Sequence, residues 1–168
     1  MVHFITSRGI ANELVRHRVG IAFSQASTRY INFCDVESPK DIEFIQPYWI
    51  HDELLETALK NTQEFKYTHP QHSMISDWLE CMEYLESLYK TLRYKKLTPQ
   101  AARGVLPHDL KTEMVATANL REWCHILELR SSIAKTGKPH PDMMLLMDPL
   151  LEEFKLRLPI FFEHLAIK

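Results

Sequence analysis

Between Ser73 and about Tyr94, apolar residues recur at three- and four-residue steps: Ile75, Leu79, Met82, Leu85, Leu88 and Leu92. That spacing lines them along one side of a helix of about six turns, whose stripe has to be buried against other elements. The chain has few residues suited to sharp reversals. Its four glycines stand at 9, 20, 104 and 137, so helices are expected to dominate.

The start of the chain differs. "VHFIT" (2–6) reads as a short strand, and Ser7 is placed to cap a helix running to about Arg18, with Ile10, Leu14 and Val15 on its apolar side. Gly20 interrupts it. "TRYINF" (28–33) alternates and reads as a second strand; "SPKD" (38–41) is a turn, after which "IEFI" (42–45) pairs back as a hairpin. A helix follows Pro47 and ends before a loop, "THPQHS" (68–73). Beyond the long periodic run, Thr98 and Pro99 open a short helix. Residues 106–130 read as a second long helical region, 135–141 as a loop, 142–156 as a further helix, and "LPIFFEHL" (158–165) closes the chain. The expected class is α+β: a small antiparallel sheet packed with a helical bundle, in one domain spanning residues 1–168.

Composition excludes several functions. Twenty basic and 22 acidic residues leave a formal charge of -2, so there is no basic surplus for non-specific nucleic-acid binding, and any anion site must be local. Cys34, Cys81 and Cys124 are widely spaced and odd in number, which suits neither a disulfide framework nor a zinc knuckle and fits a reduced, cytoplasmic setting. No secretory leader and no apolar run of about 18 residues is visible, so no membrane span is expected. His69 and His72 form an HxxH without an evident third ligand, and no metal is expected.

The chemistry concentrates in "RHRVGIAFSQASTRY" (16–30). On a continuing helix, Glu13, Arg16 and His17 share a face and Arg18 points elsewhere. Arg16 and Arg18 each offer a planar fork of donors to a phosphate or carboxylate. Ser27 and Arg29 stand where a strand begins, suited to donating to a phosphate. Two readings remain open here: a solvated basic face with an ordinary intrahelical pair, or a pocket for an anion. Further along, Asn119, Trp123, Ile126 and Arg130 fall on one side of a helix, with Arg121 and His125 opposite. Such a helix either borders two sites or is partly solvated.

The stretch "ELVRHRVGIAFSQASTRY" strongly resembles the signature of the flavin-dependent thymidylate synthases: Arg-His-Arg, then seven or eight residues, then Ser. Here the eight residues Val19 to Ala26 separate Arg18 from Ser27. "IEFIQPYWI", "AARGVLPHDLKTEMVATANLREWCHILELRSS" and "HPDMMLLMDPLLEEF" match in order, so the resemblance runs from about residue 2 to about 157.

The resemblance implies an enzyme that makes dTMP from dUMP. Methylenetetrahydrofolate supplies the carbon, FAD reduced by NADPH delivers the hydride, and a homotetramer holds FAD and dUMP where subunits meet. By residue-for-residue carry-over, Arg16, His17, Arg18, Gln25, Asn119, Leu120, Arg121, His125 and His140 would contact FAD. Glu13, Arg16, Gln25, Ala26, Ser27, Thr28, Arg29, Arg103 and Arg130 would surround dUMP. Arg130 matches the family's activating arginine, whose fixed charge stabilises negative charge on the uracil ring. In such chemistry Ser27 is no nucleophile, and the three cysteines are structural rather than catalytic.

Asn12 stands where relatives often have His, and Ala26 where many have Glu. The chain resembles about the C-terminal two-thirds of such a synthase, with Met1 almost at the strand that relatives precede by a flavin-contacting segment. It is therefore expected to retain FAD weakly by itself. The competing expectation is a truncated, inactive copy that binds nucleotide or flavin, or pairs with a complete subunit.

Overall fold

A computed structural model describes residues 1–35, 41–60 and 70–165. The elements are β1 (Val2–Ser7), α1 (Arg8–Leu14), β2 (Ile21–Gln25), α2 (Asp52–Lys60), α3 (Pro70–Tyr94), α4 (Pro99–Ala102) continued by a 3-10 turn (Arg103–Val105), β3 (Lys111–Ala118), α5 (Leu120–Arg130), α6 (Pro141–Arg157) and α7 (Pro159–Phe162). The α+β expectation is met by a three-stranded sheet and these helices. The chain forms two compact units, residues 1–25 with 112–168, and residues 26–111.

The first unit holds the sheet, in the order β1-β3-β2. β2 runs antiparallel to β3, from Ile21 opposite Ala118 to Gln25 opposite Met114. Thr112, Met114 and Ala116 of β3 are buried on one face; of the alternate residues, Glu113 and Thr117 are exposed and Val115 is half-buried. This strand lies inside the expected helical region 106–130, so that expectation is corrected. Its Ala, Met and Glu favour helix, but "KTEMVATA" carries an alternating pattern, and a slot between two strands rewards period two. Asn119 ends the strand and caps α5, its Oδ1 accepting from the Glu122 N–H at 2.9 Å.

α1 also departs from expectation. Ser7 caps it as foreseen, accepting from the Ile10 N–H, and Ile10, Ala11 and Leu14 are buried. It ends at Leu14, however, not Arg18. Arg16 N–H donates to Glu13 O and His17 N–H to Leu14 O; these three-residue bonds overwind the last turn and carry His17 inward. The chain then reverses at Gly20, whose φ is 73°. A Cβ there would lie 2.6 Å from Asn119 Nδ2, so both conformation and space demand glycine.

The core of this unit links the sheet to the helices through an aromatic series. Phe4 meets Trp123 (ring centroids 6.3 Å apart), Trp123 meets Phe154 (5.6 Å) and Phe154 meets Phe162 (4.9 Å). Leu14, Met114, Ile126, Leu127, Met143 and Met147 fill the space around them. Removing a buried aromatic such as Trp123 from such a core typically costs about 3–5 kcal/mol.

The second unit is built on α3. Ile75, Met82 and Tyr89 are buried, Tyr89 completely; the foreseen stripe therefore holds, except that Tyr89 takes the deepest place and Leu88 is half-buried. Tyr89 packs with Ile42, Ala102 and Leu110, and Ile75 packs with Ile50. The helix begins at Pro70, so the described part of the expected loop at 68–73 is helical. At its other end, Leu97 N–H bonds back to Leu92 O and Lys96 N–H to Arg93 O, with Lys96 left-handed at φ 69°. That is a Schellman ending with lysine where glycine is usual.

Two expected strands are corrected. Residues 28–30 form a turn rather than a strand, closed by Tyr30 and Ile31 N–H groups donating to Ser27 O. Residues 42–45 make one isolated bridge, Phe44 with Leu110, instead of a hairpin. The strand instead occupies Ile21–Gln25, where β3 supplies a partner that the local sequence does not reveal. The helix expected after Pro47 starts at Asp52. Its expected end, most of the turn at 38–41, and His69 lie outside the described residues.

Candidate functional site

In the first unit, Arg130 closes α5 and is held from three directions. Its Nη1 donates to Glu13 Oε2 (3.1 Å), its Nη2 to the Glu13 carbonyl (3.4 Å) and its Nε to His17 Nε2 (3.2 Å). Guanidinium is always protonated, so His17 Nε2 must be the acceptor and its proton sits on Nδ1. That nitrogen lies 3.6 Å from Glu122 Oε1. Burial, then the charges of Arg130 and His125, lower the His17 pKa from 6.5 to about 4, so the imidazole is neutral near pH 7. The Glu122 carboxylate opposes this shift but stands beyond hydrogen-bond length, so the lowered direction holds. His125 meets His17 edge-on, with centroids 6.0 Å apart.

Five N–H groups belong to a guanidinium, and three are engaged here, which leaves two of Arg130 uncommitted among the described residues. Arg16 and Arg18 flank buried His17 and are exposed. The face shared by Glu13, Arg16 and His17 is therefore not helical geometry; the overwound turn separates buried His17 from its exposed neighbours. On α5 the two-sided reading holds in part: Asn119 is the exposed cap outside the helix, and His125 reaches the same His17 ring as Arg130. Trp123 and Ile126 are buried, Arg130 is half-buried, and Leu120, Arg121 and His125 are exposed. Gln25 Nε2 donates to Thr112 Oγ1 (3.0 Å) across the sheet. His140 caps α6, Nδ1 accepting from the Asp142 N–H at 3.3 Å.

In the second unit, a turn and a short helix bring the other predicted residues together. Thr28 is buried and its hydroxyl accepts from Arg103 Nη1 (3.2 Å). Ser27 Oγ accepts from the Arg29 N–H (3.4 Å). Exposed Arg29 lays its fork on Gln100 Oε1 (3.1 and 2.9 Å) and passes 5.6 Å from the Tyr30 ring. Ala26 is exposed and makes no polar side-chain contact by its nature.

Gln100, Thr112 and Glu122 are contacts that the sequence reading missed. Glu122 alone had a visible signal: "NLRE" is an Asn-x-x-Glu start to a helix. The cysteines are free thiols. Cys34 and Cys81 are exposed. Half-buried Cys124 donates to Phe161 O at 3.5 Å, and burial raises its pKa, which disfavours a thiolate. Among the described residues, no group of three His, Cys, Asp or Glu side chains is placed to hold a metal ion, and no helix is long and apolar enough to cross a membrane.

Comparison with known proteins agrees with the motif. Residues 1–160 match the family model of the thymidylate synthase complementing protein. The chain is 29% identical over 163 residues to a flavin-dependent thymidylate synthase of Corynebacterium aurimucosum, covering 96% of this chain and 59% of that protein. It is 34% identical over 130 residues to the one of Mycolicibacterium gilvum (75% and 46%), and 31% over 127 residues to the one of Thermococcus onnurineus (74% and 42%). The chain spans about half the length of these relatives. With the family model covering nearly its whole length, and Arg-His-Arg followed by Ser27 in place, the chain belongs to the thymidylate synthase complementing protein family, that of the flavin-dependent thymidylate synthases.

Proposed function

We propose that this chain, as one synthase domain over residues 1–168, takes part in methylating dUMP to dTMP, with methylenetetrahydrofolate as carbon donor and NADPH as reductant of FAD. The observation that carries the reading is Arg130, a fixed cation with two spare donors, held by Glu13 and neutral His17. Aimed at a uracil ring, such a charge stabilises negative charge on the ring oxygens and makes the ring carbon nucleophilic without a thiolate. Raised Cys124 accords with that.

The phosphate of dUMP is assigned to Ser27, Thr28, Arg29 and Arg103. The hydrogen bonds of the Arg29 fork go to a neutral amide, beside the Tyr30 ring, so exchanging Gln100 for a dianion strengthens them. Arg103, bonded to Thr28, is already oriented. Glu13, Arg16, Gln25 and Ala26 complete the proposed nucleotide contacts.

The residues fit FAD. Arg16, Arg18 and Arg121 are exposed guanidiniums without a hydrogen bond among the described residues, which is the donor set a diphosphate takes. His17, Gln25, Asn119, Leu120, His125 and His140 are assigned beside them. Bound flavin would supply the hydride; the chain's own part is to bind it, orient it and exclude water. Homotetramer assembly belongs to the same reading, and exposed Leu156, Ile160 and Phe161 at the end of the first unit offer apolar surface for it.

The experiment is tritium release from dUMP labelled at the reacting carbon, with FAD, NADPH and methylenetetrahydrofolate, beside calorimetric titration with dUMP. Release that needs Arg130 supports the reading. dUMP binding without release identifies a nucleotide-binding copy, and no binding overturns both.

A further inference from the structure

Glu122 is assigned no role by the motif, yet its side chain is almost buried, with 12% exposed. At the third position of a capped helix, glutamate ordinarily reaches back to the N–H of the capping residue. Here the Asn119 N–H is already taken by Gly20 O at 3.2 Å. The Glu122 carboxylate is thereby released from capping, and it stands beside His17 Nδ1 instead.

His17 is thus hydrogen-bonded at one nitrogen and faces a carboxylate, 3.6 Å away, at the other. Nε2 accepts from Arg130 Nε, and Nδ1 carries the proton and faces the carboxylate. A neutral imidazole has two tautomers and two ring orientations, and the partner of one nitrogen decides what the other presents. A carboxylate at Nδ1 favours the state with a lone pair on Nε2, the state that Arg130 needs. Were the ring to turn over, Arg130 Nε would face a C–H or an N–H and lose its bond.

We infer that Glu122 is a positioning residue for Arg130, acting through the His17 imidazole. The inference rests on the proposed role of Arg130. The arrangement is a carboxylate–imidazole–guanidinium series, with the carboxylate at the far end from the ligand. Glu122 touches no substrate; it fixes the ring that fixes the arginine. Gly20 is part of the device, because its carbonyl occupies the backbone donor that would otherwise claim the carboxylate.

The test is nitrogen-15 NMR of the chain without ligand, so that it stays separate from any question of turnover. An N–H···N bond between Arg130 and His17 gives a through-bond coupling, and the imidazole shifts report the tautomer. In the unsubstituted chain, His17 is expected as the Nδ1–H tautomer, coupled to Arg130 Nε. Glu122→Ala should mix the tautomers and speed solvent exchange of the Arg130 Nε–H about threefold or more, the scale of a close charge contact short of a full hydrogen bond. Glu122→Gln keeps an acceptor of the same length and should restore both signals in most molecules; it also serves if the alanine variant does not fold. A merely structural Glu122 would lower the melting temperature and leave tautomer and coupling unchanged. That result, or a His17 protonated on Nε2, overturns the inference whatever the chain does with dUMP.

Discussion

Arg130 in the first unit and Arg29 in the second are both forks suited to an anion, but they are held in opposite ways. Arg130 is half-buried, and its partners are a carboxylate, a carbonyl and a neutral imidazole. Arg29 is exposed and rests on a neutral amide. The first arrangement fixes a charge in advance, which is what stabilising a transition state requires. The second leaves a charge that is easily released to an incoming ligand, which is what capturing a phosphate requires. Burial and the charge of their partners thus hold the two arginines differently, in keeping with the different tasks proposed for them.

The sharpest way to break this contrast is Arg130→Ala. Loss of a charge that acts mainly in the transition state should lower the rate of tritium release about 100- to 1000-fold, or about 2.7–4 kcal/mol, while nucleotide binding partly persists. Equal losses in binding and rate would mean that Arg130 only captures ligand.

Next in size is a pH effect confined to the first unit. Folding lowers the His17 pKa from 6.5 to about 4, so between those values the unfolded chain binds the proton that the folded chain refuses. Stability should therefore fall as pH drops from about 6.5 to about 4, by up to roughly 3 kcal/mol. Urea midpoints of the chain and of His17→Gln across that range would show it, because the glutamine variant should have a flatter profile.

In the second unit, Arg29→Ala or Arg103→Ala should weaken dUMP binding about 10- to 150-fold, from about 1.5–3 kcal/mol per charge-assisted hydrogen bond. Calorimetry decides this, and an unchanged affinity would place the phosphate elsewhere.

The smallest effects come from the two left-handed residues, one in each unit. Gly20→Ala meets both an unfavourable φ and Asn119 at 2.6 Å, and should destabilise by about 2 kcal/mol. Exposed Lys96 already bears that strain, so Lys96→Gly should stabilise by about 1 kcal/mol. Thermal melts of the two variants should move in opposite directions.

What could be read in advance was whatever short-range chemistry fixes. The Ser7 cap, the α3 stripe, the Pro99 start and the α6 helix each depend on residues within a turn or two of one another, and each was legible. So was the family, because Arg-His-Arg, Ser27 and the later blocks form an ordered pattern in the chain itself. Three things were decided only by tertiary structure. "KTEMVATA" has helix-forming composition and strand alternation, and only neighbours on both sides settled it as β3. Helix α1 had no local stop at Leu14; burying His17 between α1 and α5 supplied one. The link from Glu122 through His17 to Arg130 joins residues more than a hundred positions apart, and it exists because the Gly20 carbonyl took the donor that the glutamate would otherwise have capped. Local sequence determines which conformations a segment favours, but which side chain becomes buried, and against what charge, depends on partners that only the folded chain brings near.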